Sequence, residues 1–240
     1  MSNRNIEIVQ NLFNGLVVAK IEVGSLLVQN SPNLLSKKRK LALVDLKGNI
    51  KDIVDLKNCN LGLYFFDEYS VNECGDIIIG VKSNGNLKYG VINRNGLLVI
   101  EPQYDMIKYA NEDAFIVGLL TFSKKFVYGY KDALTGEKIT PICFKSASDF
   151  HYHKAVVRYD DKYGYIDRSK ILTNPKNKSE YADNLYPRFY SATDLVETEA
   201  LALFHRGTVQ LPPLYATINQ RGEITSFTSK RHFGYQKIMK

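Results

Sequence analysis

The residues with the most obvious chemical potential form one short run, His151-Tyr152-His153. Alternate positions on an extended strand would put both imidazoles on one face, where they could act as two ligands of a metal ion. Zinc-type sites need three or four ligands and this run supplies two, so it reads as a strand edge or loop, and no metal is expected. His205 and His232 stand alone. The three cysteines, Cys59, Cys74 and Cys143, are odd in number and share no ligand spacing. Residues 1–20 lack the basic and then apolar pattern of a secretory leader, so the cysteines read as free thiols in a reducing cytoplasm. The acid pairs Asp67-Glu68 and Asp160-Asp161 read as turn residues. No nucleophile elbow, phosphate-binding glycine loop or H-E-x-x-H run occurs. The expectation is a protein that is not an enzyme and carries no cofactor.

Binding chemistry is better represented. Residues 1–120 hold 13 Lys/Arg and 13 Asp/Glu, whereas residues 121–240 hold 19 and 12, so the whole excess of +7 lies in the second half. A separate basic knot, Lys37-Lys38-Arg39-Lys40, sits in the neutral half. Such asymmetry favours an anionic partner. Between residues 172 and 213 lies a long interval containing Pro175-Lys176-Asn177-Lys178-Ser179 and Tyr186-Pro187-Arg188-Phe189-Tyr190. Loops on a rigid scaffold are where function concentrates. The candidate partner-binding residues are therefore Lys37, Lys38, Arg39, Lys40, Lys176, Lys178, Tyr186, Arg188 and Tyr190.

The elements that would position these residues repeat. The run KYGVINRNGLLVI at residues 88–100 returns as VYGYKDALTGEKI at 127–139 and KYGYIDRSKIL at 162–172, and more faintly as KLALVDLKGNI at 40–50 and LYATINQRGEI at 214–224. A small residue recurs at Ala42, Gly90, Gly129, Gly164 and Ala216, spaced 35 to 52 residues apart, and an Asp or Asn at Asp45, Asn93, Asp132, Asp167 and Asn219. Upstream of each copy runs a second apolar segment, beginning at Leu16, Asp76, Ala114, Ala155 and Ala200. Both segments are rich in β-branched and aromatic residues, with Asn84-Gly85 and Asp160-Asp161 as hairpin turns. The Asp/Asn-x-x-Gly step that follows is a type I turn signature. A glycine inside a strand weakens it unless a neighbouring backbone or ring packs over the vacant face. The 16 tyrosines split accordingly: Tyr89, Tyr128, Tyr163 and Tyr215 share one repeat slot and read as packing residues.

The chain therefore reads as all-β: a single domain over residues 1–240 built of about five meanders of three or four strands. A five-bladed propeller-like ring is preferred for units of this length, with an open β-solenoid as the alternative. Residues 1–14 are expected to add a short helix capped by Ser2 or Asn3. No apolar run approaches the roughly 20 residues that a membrane helix needs.

These repeats resemble the WG-repeat family of bacterial proteins. The family pattern of lysine, aromatic-glycine, aspartate, turn glycine, apolar strand, proline and Tyr-Asp is similar to Lys88-Tyr89-Gly90, Asn93, Gly96 and Pro102-Gln103-Tyr104-Asp105, and again to Lys162-Tyr163-Gly164-Tyr165-Ile166-Asp167. The chain departs from the pattern in having no tryptophan, tyrosine taking the aromatic slot, and in placing Lys131 at an apolar position. The resemblance implies a repeat scaffold for interactions and supplies no catalytic residues. The expected function is a cytoplasmic, non-enzymatic scaffold that binds a protein partner through projecting loops, as adaptor or inhibitor. The alternative is a nucleic-acid or nucleoprotein binder using the basic half. No membrane partner is expected, and the oligomeric state is left open.

Overall fold

A computed structural model describes residues 6–12, 15–23, 38–45, 65–83, 85–182, 185–196, 199–206 and 212–229. These residues form five antiparallel sheets, shared between two compact units, residues 1–105 and 106–240. Among them no helix is long and apolar enough to cross a membrane.

The first unit holds two four-stranded sheets. One runs in the order β1 (Ile6–Asn11), β2 (Leu16–Val23), β3 (Lys38–Asp45) and β4 (Phe65–Phe66). The other runs β5 (Glu68–Val71), β6 (Ile77–Ser83), β7 (Asn86–Ile92) and β8 (Leu98–Tyr104). Leu16, Val18, Leu43, Phe66, Ile77, Ile79 and Ile92 from both sheets share one buried cluster. The helix expected at the N-terminus is overturned, because Ile6–Asn11 is a strand paired antiparallel with β2. Isolated short helices are marginal in water, whereas this segment alternates apolar and polar residues beside a ready strand edge.

The second unit holds three sheets. The first comprises β9 (Met106–Tyr109), β10 (Ala114–Leu120) and β11 (Phe126–Asp132), with β10 central. The second comprises β12 (Ser146–Ala147), β13 (Lys154–Tyr159) and β14 (Lys162–Asp167). The third runs β15 (Ser191–Ala192), β16 (Glu199–His205), β17 (Leu214–Asn219) and β18 (Ile224–Thr228).

Strand periodicity shows how these three sheets share a core. On β13, Ala155 and Val157 point into a cluster with Ile116, Tyr130 and Phe150 of the preceding repeat. Val156, between them, points into a cluster with Leu195, Ala202 and Ile218 of the following one. The middle sheet is thus apolar on both faces, which is why its first strand reads as an unbroken AVV. Two buried tyrosines fasten these layers. Tyr130 donates its hydroxyl to the Ser148 carbonyl at 2.6 Å, and Tyr165 donates to the Thr193 carbonyl at 2.8 Å. Ser148 and Thr193 also accept from the Val156 and Leu201 amides through their own side-chain oxygens. One repeat therefore ties to the next by the same pair of bonds, used twice.

The strand glycines answer to backbone crowding. A Cβ on Gly164 would stand 2.6 Å from the Leu185 carbonyl oxygen and from Pro187 N. On Gly90 it would stand 2.5 Å from the Ile100 oxygen, and on Gly129 2.7 Å from the Pro141 oxygen. In these three repeats the proline-bearing segment crosses directly over the glycine. It then pairs an aromatic (Tyr104, Phe144 or Phe189) with the slot tyrosine (Tyr89, Tyr128 or Tyr163). The Asn93-Arg94-Asn95-Gly96 turn forms as read, the Gly96 amide donating to the Asn93 carbonyl at 2.8 Å with Gly96 at φ 78°, and the Asn93 side chain also accepts from the Asn95 and Leu97 amides; the turn after Asp45 lies outside the described residues. Asn72-Glu73-Cys74-Gly75 is a further copy that the sequence reading passed over, with Gly75 at φ 87°.

Candidate anion-binding site

Two hairpin strands and a long connection build a polar concavity in the second unit. In the β13–β14 register Arg158 lies opposite Tyr163, and Tyr159 opposite Lys162. Asp160 takes φ 52° in the tight turn, a conformation aspartate tolerates. The hairpin end therefore carries Arg158, Asp161 and Lys162 together. From Gly164's crowding segment the chain continues through Tyr186, Arg188 and Phe189 to Tyr190, whose amide donates to the Leu203 carbonyl of β16 at 2.7 Å. That bond brings Tyr190 beside the end of β16, where Arg206 is exposed. Arg158, Asp161, Lys162, Tyr163, Tyr190 and Arg206 line a cleft of about 480 Å³.

Three cations face one carboxylate in this cleft, and the carboxylate is already engaged. Asp161 Oδ1 accepts from Lys145 Nζ at 3.3 Å and Arg158 Nη2 at 3.1 Å. Lys145 first, and Arg158 after it, hold the Asp161 carboxyl below the ordinary aspartate range. Lys162 and Arg206 have no carboxylate partner among the described residues. Both instead stand over the Tyr190 ring, with Lys162 Nζ 3.0 Å and Arg206 Cζ 4.7 Å from its centroid. Arg158 Cζ lies 5.7 Å from the Tyr163 centroid. Beside the cleft the pattern continues: Lys178 Nζ is 4.5 Å and Arg188 Cζ 5.2 Å from the Tyr186 ring centroid. Cations seated over rings in this way gain roughly 0.5–1 kcal/mol each at exposed sites. The Nε atoms of Arg158 and Arg188 are buried and lack a hydrogen-bond acceptor.

Of the residues expected to bind a partner, the structure brings Lys178, Tyr186, Arg188 and Tyr190 into this cation–aromatic run. Lys176 is exposed in the adjoining turn, its amide donating to Asn174 Oδ1, and it takes no part in the ring contacts. That turn is braced by Glu180, whose carboxylate accepts from the Asn174 and Thr173 amides. With the Asn174 amide foremost, these bonds draw its pKa down to about 2. Lys38, Arg39 and Lys40 open strand β3, paired with Val23, Glu22 and Ile21. Lys37 lies outside the described residues.

The reading of sequence missed Arg158, Asp161 and Lys162 as site members. Their signal was present in the hairpin turn, because residues flanking a two-residue turn share one sheet end. Arg206 entered only through the count of basic residues in the second half, of which Lys230, Arg231, Lys237 and Lys240 lie outside the described residues. The His151-Tyr152-His153 run is a tight turn, with Tyr152 at φ 51° and His153 at φ 61°. His153 Nδ1 lies 2.9 Å from Glu112.

Sheets that repeat one meander, glycine by glycine and turn by turn, define a β-repeat protein. The family model described as WG containing repeat matches residues 89–118 and 128–163, so these two stretches are similar to WG repeats. A search of curated proteins found no match. Among solved structures, one of the eukaryotic initiation factor aligns over 95% of this chain and 66% of that chain, at 10% identity and a TM-score of 0.27. A likeness that slight bears on nothing further.

Proposed function

We propose that this chain is a non-enzymatic interaction scaffold that binds a protein partner, as adaptor or inhibitor. The contact surface is the cation–aromatic run from the β13–β14 hairpin through residues 178–190 to Arg206. The observation that carries this reading is the assembly of Lys162 and Arg206 over Tyr190, from three separate stretches of chain, on a rigid stack of sheets. Tyrosine and arginine anchors on a rigid surface are the usual material of protein–protein hot spots. The free thiol of Cys143 suits a reducing cytoplasm.

Nucleic-acid binding is the second reading, favoured by three cations against one neutralised carboxylate in the cleft. A pull-down from the native host at about 150 and about 500 mM salt, each with and without nuclease, separates the two: nuclease removes a nucleic-acid partner and leaves a protein, while ionic contacts to either screen over that salt range. The first reading expects a protein retained with and without nuclease. Recovery of nucleic acid at low salt alone, lost with nuclease, would replace it with the second.

A further inference from the structure

We propose that the cleft lined by Arg158, Asp161, Lys162, Tyr163, Tyr190 and Arg206 recognises an acidic peptide segment, through carboxylates received by Lys162 and Arg206, the carboxylate of Asp161 being already paired with Lys145 and Arg158. This deepens the protein-binding reading and rests on it.

Three observations lead there. First, the cations are held in place without being neutralised. Lys162 and Arg206 lean on Tyr190, and among the described residues no carboxylate pairs with either. A guanidinium lying over a ring keeps its in-plane N–H donors free for a carboxylate, the planar acceptor that arginine fits best. Arg158 is the exception: its Nη2 pairs with Asp161 at 3.1 Å, and its Nε–H is buried without an acceptor. Second, the rings are already covered. Tyr190 carries two cations, Tyr186 beside it carries two more, and Tyr163 carries Arg158. Nucleic acids bound by stacking need open ring faces. Here the rings serve as platforms that pre-position charge, which favours an oxyanion-bearing chain over a base. Third, a cleft of about 480 Å³ is far roomier than one small anion requires. The connection that brings Tyr190 to the cleft also carries Lys178 and Arg188 over Tyr186, and a segment with several carboxylates can engage Lys162 and Arg206 together where a lone ion would leave donors unused.

The test is titration of the full chain with fluorescein-labelled octaglutamate, followed by polarisation, beside labelled oligothymidylate of equal charge and an uncharged Gly-Ser peptide. Octaglutamate is expected to bind most tightly. The pair Lys162→Ala with Arg206→Ala should weaken it by about tenfold or more, since both direct partners are lost. The pair Lys124→Ala with Lys125→Ala removes the same charge from the exposed β10–β11 turn and should change affinity by less than about threefold. Tyr190→Phe keeps the platform and the affinity, whereas Tyr190→Leu removes the ring face and should lose several-fold. Melting curves of each variant check that the fold persists.

Tighter binding of oligothymidylate, no binding of octaglutamate, or equal losses from the two lysine-containing pairs would overturn the inference. A host protein still captured by the Lys162→Ala, Arg206→Ala chain would overturn it while sparing the protein-binding reading. Capture of no protein by the wild type would overturn that reading itself.

Discussion

Replacing Gly164 by alanine should unsettle both the fold and the binding surface, by an amount that the local geometry sets. The added Cβ would lie 2.6 Å from the Leu185 oxygen and Pro187 N, and 2.7 Å from Tyr186 C, all of them backbone atoms. Ordinary contact begins near 3.4 Å, so the 185–187 segment would have to retreat by about 0.8 Å. It is not free to do so. The Tyr165 amide donates to the Leu185 carbonyl at 2.8 Å, Tyr163 donates to Phe189 at 2.9 Å, and the Arg188 and Phe189 amides both donate to the Tyr163 carbonyl at 3.0 Å. Overpacking of a tight site costs about 1–3 kcal/mol, and weakening such bonds adds about 1 kcal/mol net each. A loss of about 3 kcal/mol is therefore expected, read from urea unfolding followed by circular dichroism. Gly118→Ala is the control: its nearest neighbours are movable ring carbons of Phe126 and Tyr128, at 3.3 and 3.4 Å. That change should cost less than about 1 kcal/mol. Equal losses in the two variants, or a Gly164→Ala chain as stable as wild type, would refute the crowding argument. The same substitution displaces the segment that bears Tyr186 and Arg188, so partner binding should fall with stability.

Further consequences follow from the buried polar contacts. Tyr130→Phe removes the hydroxyl that meets the Ser148 carbonyl and should cost about 1–2 kcal/mol in the same unfolding assay. Burial alone would raise the Asp167 carboxyl, but Lys154 at 2.8 Å, together with the Ser169 hydroxyl and amide, outweighs it and leaves the carboxyl below its ordinary 3.8. Because the folded value lies below the unfolded one, this contribution to stability is full at neutral pH and is lost as the pH falls through 3.8 and then through the folded value. Unfolding titrated against pH should show that loss, and Asp167→Asn should flatten it. Burial pushes the Cys143 thiol up to about 11, so alkylation by iodoacetamide at about pH 8 should be slow in the folded chain and fast in urea, as read by mass spectrometry.

Much of the fold was legible because each repeat states its local chemistry in residue types. The upstream run from Ala114 became β10 over Ala114–Leu120, and the run from Leu16 became β2 over Leu16–Val23. The inference that something must pack over the strand glycines held, the occupant being the backbone beside each proline. The N-terminal segment failed because capping residues alone do not outweigh an available strand edge. The cleft was only half legible. Tyr186, Arg188 and Tyr190 stood out as an aromatic–basic stretch, but Arg158, Lys162 and Arg206 span 48 residues in a chain full of lysines. Only the hairpin register and the bond from Tyr190 to Leu203 put them at one place, and neither is written in spacing or composition.

The central claim, that this run contacts a protein, is tested most directly by photo-crosslinking in the native host. Benzoylphenylalanine would replace Tyr186 in the run and, as a control, the exposed Leu97 in the first unit. The account predicts a discrete protein adduct at position 186 and none at position 97. A nuclease-sensitive adduct at 186, or the same adducts at both positions, would contradict it.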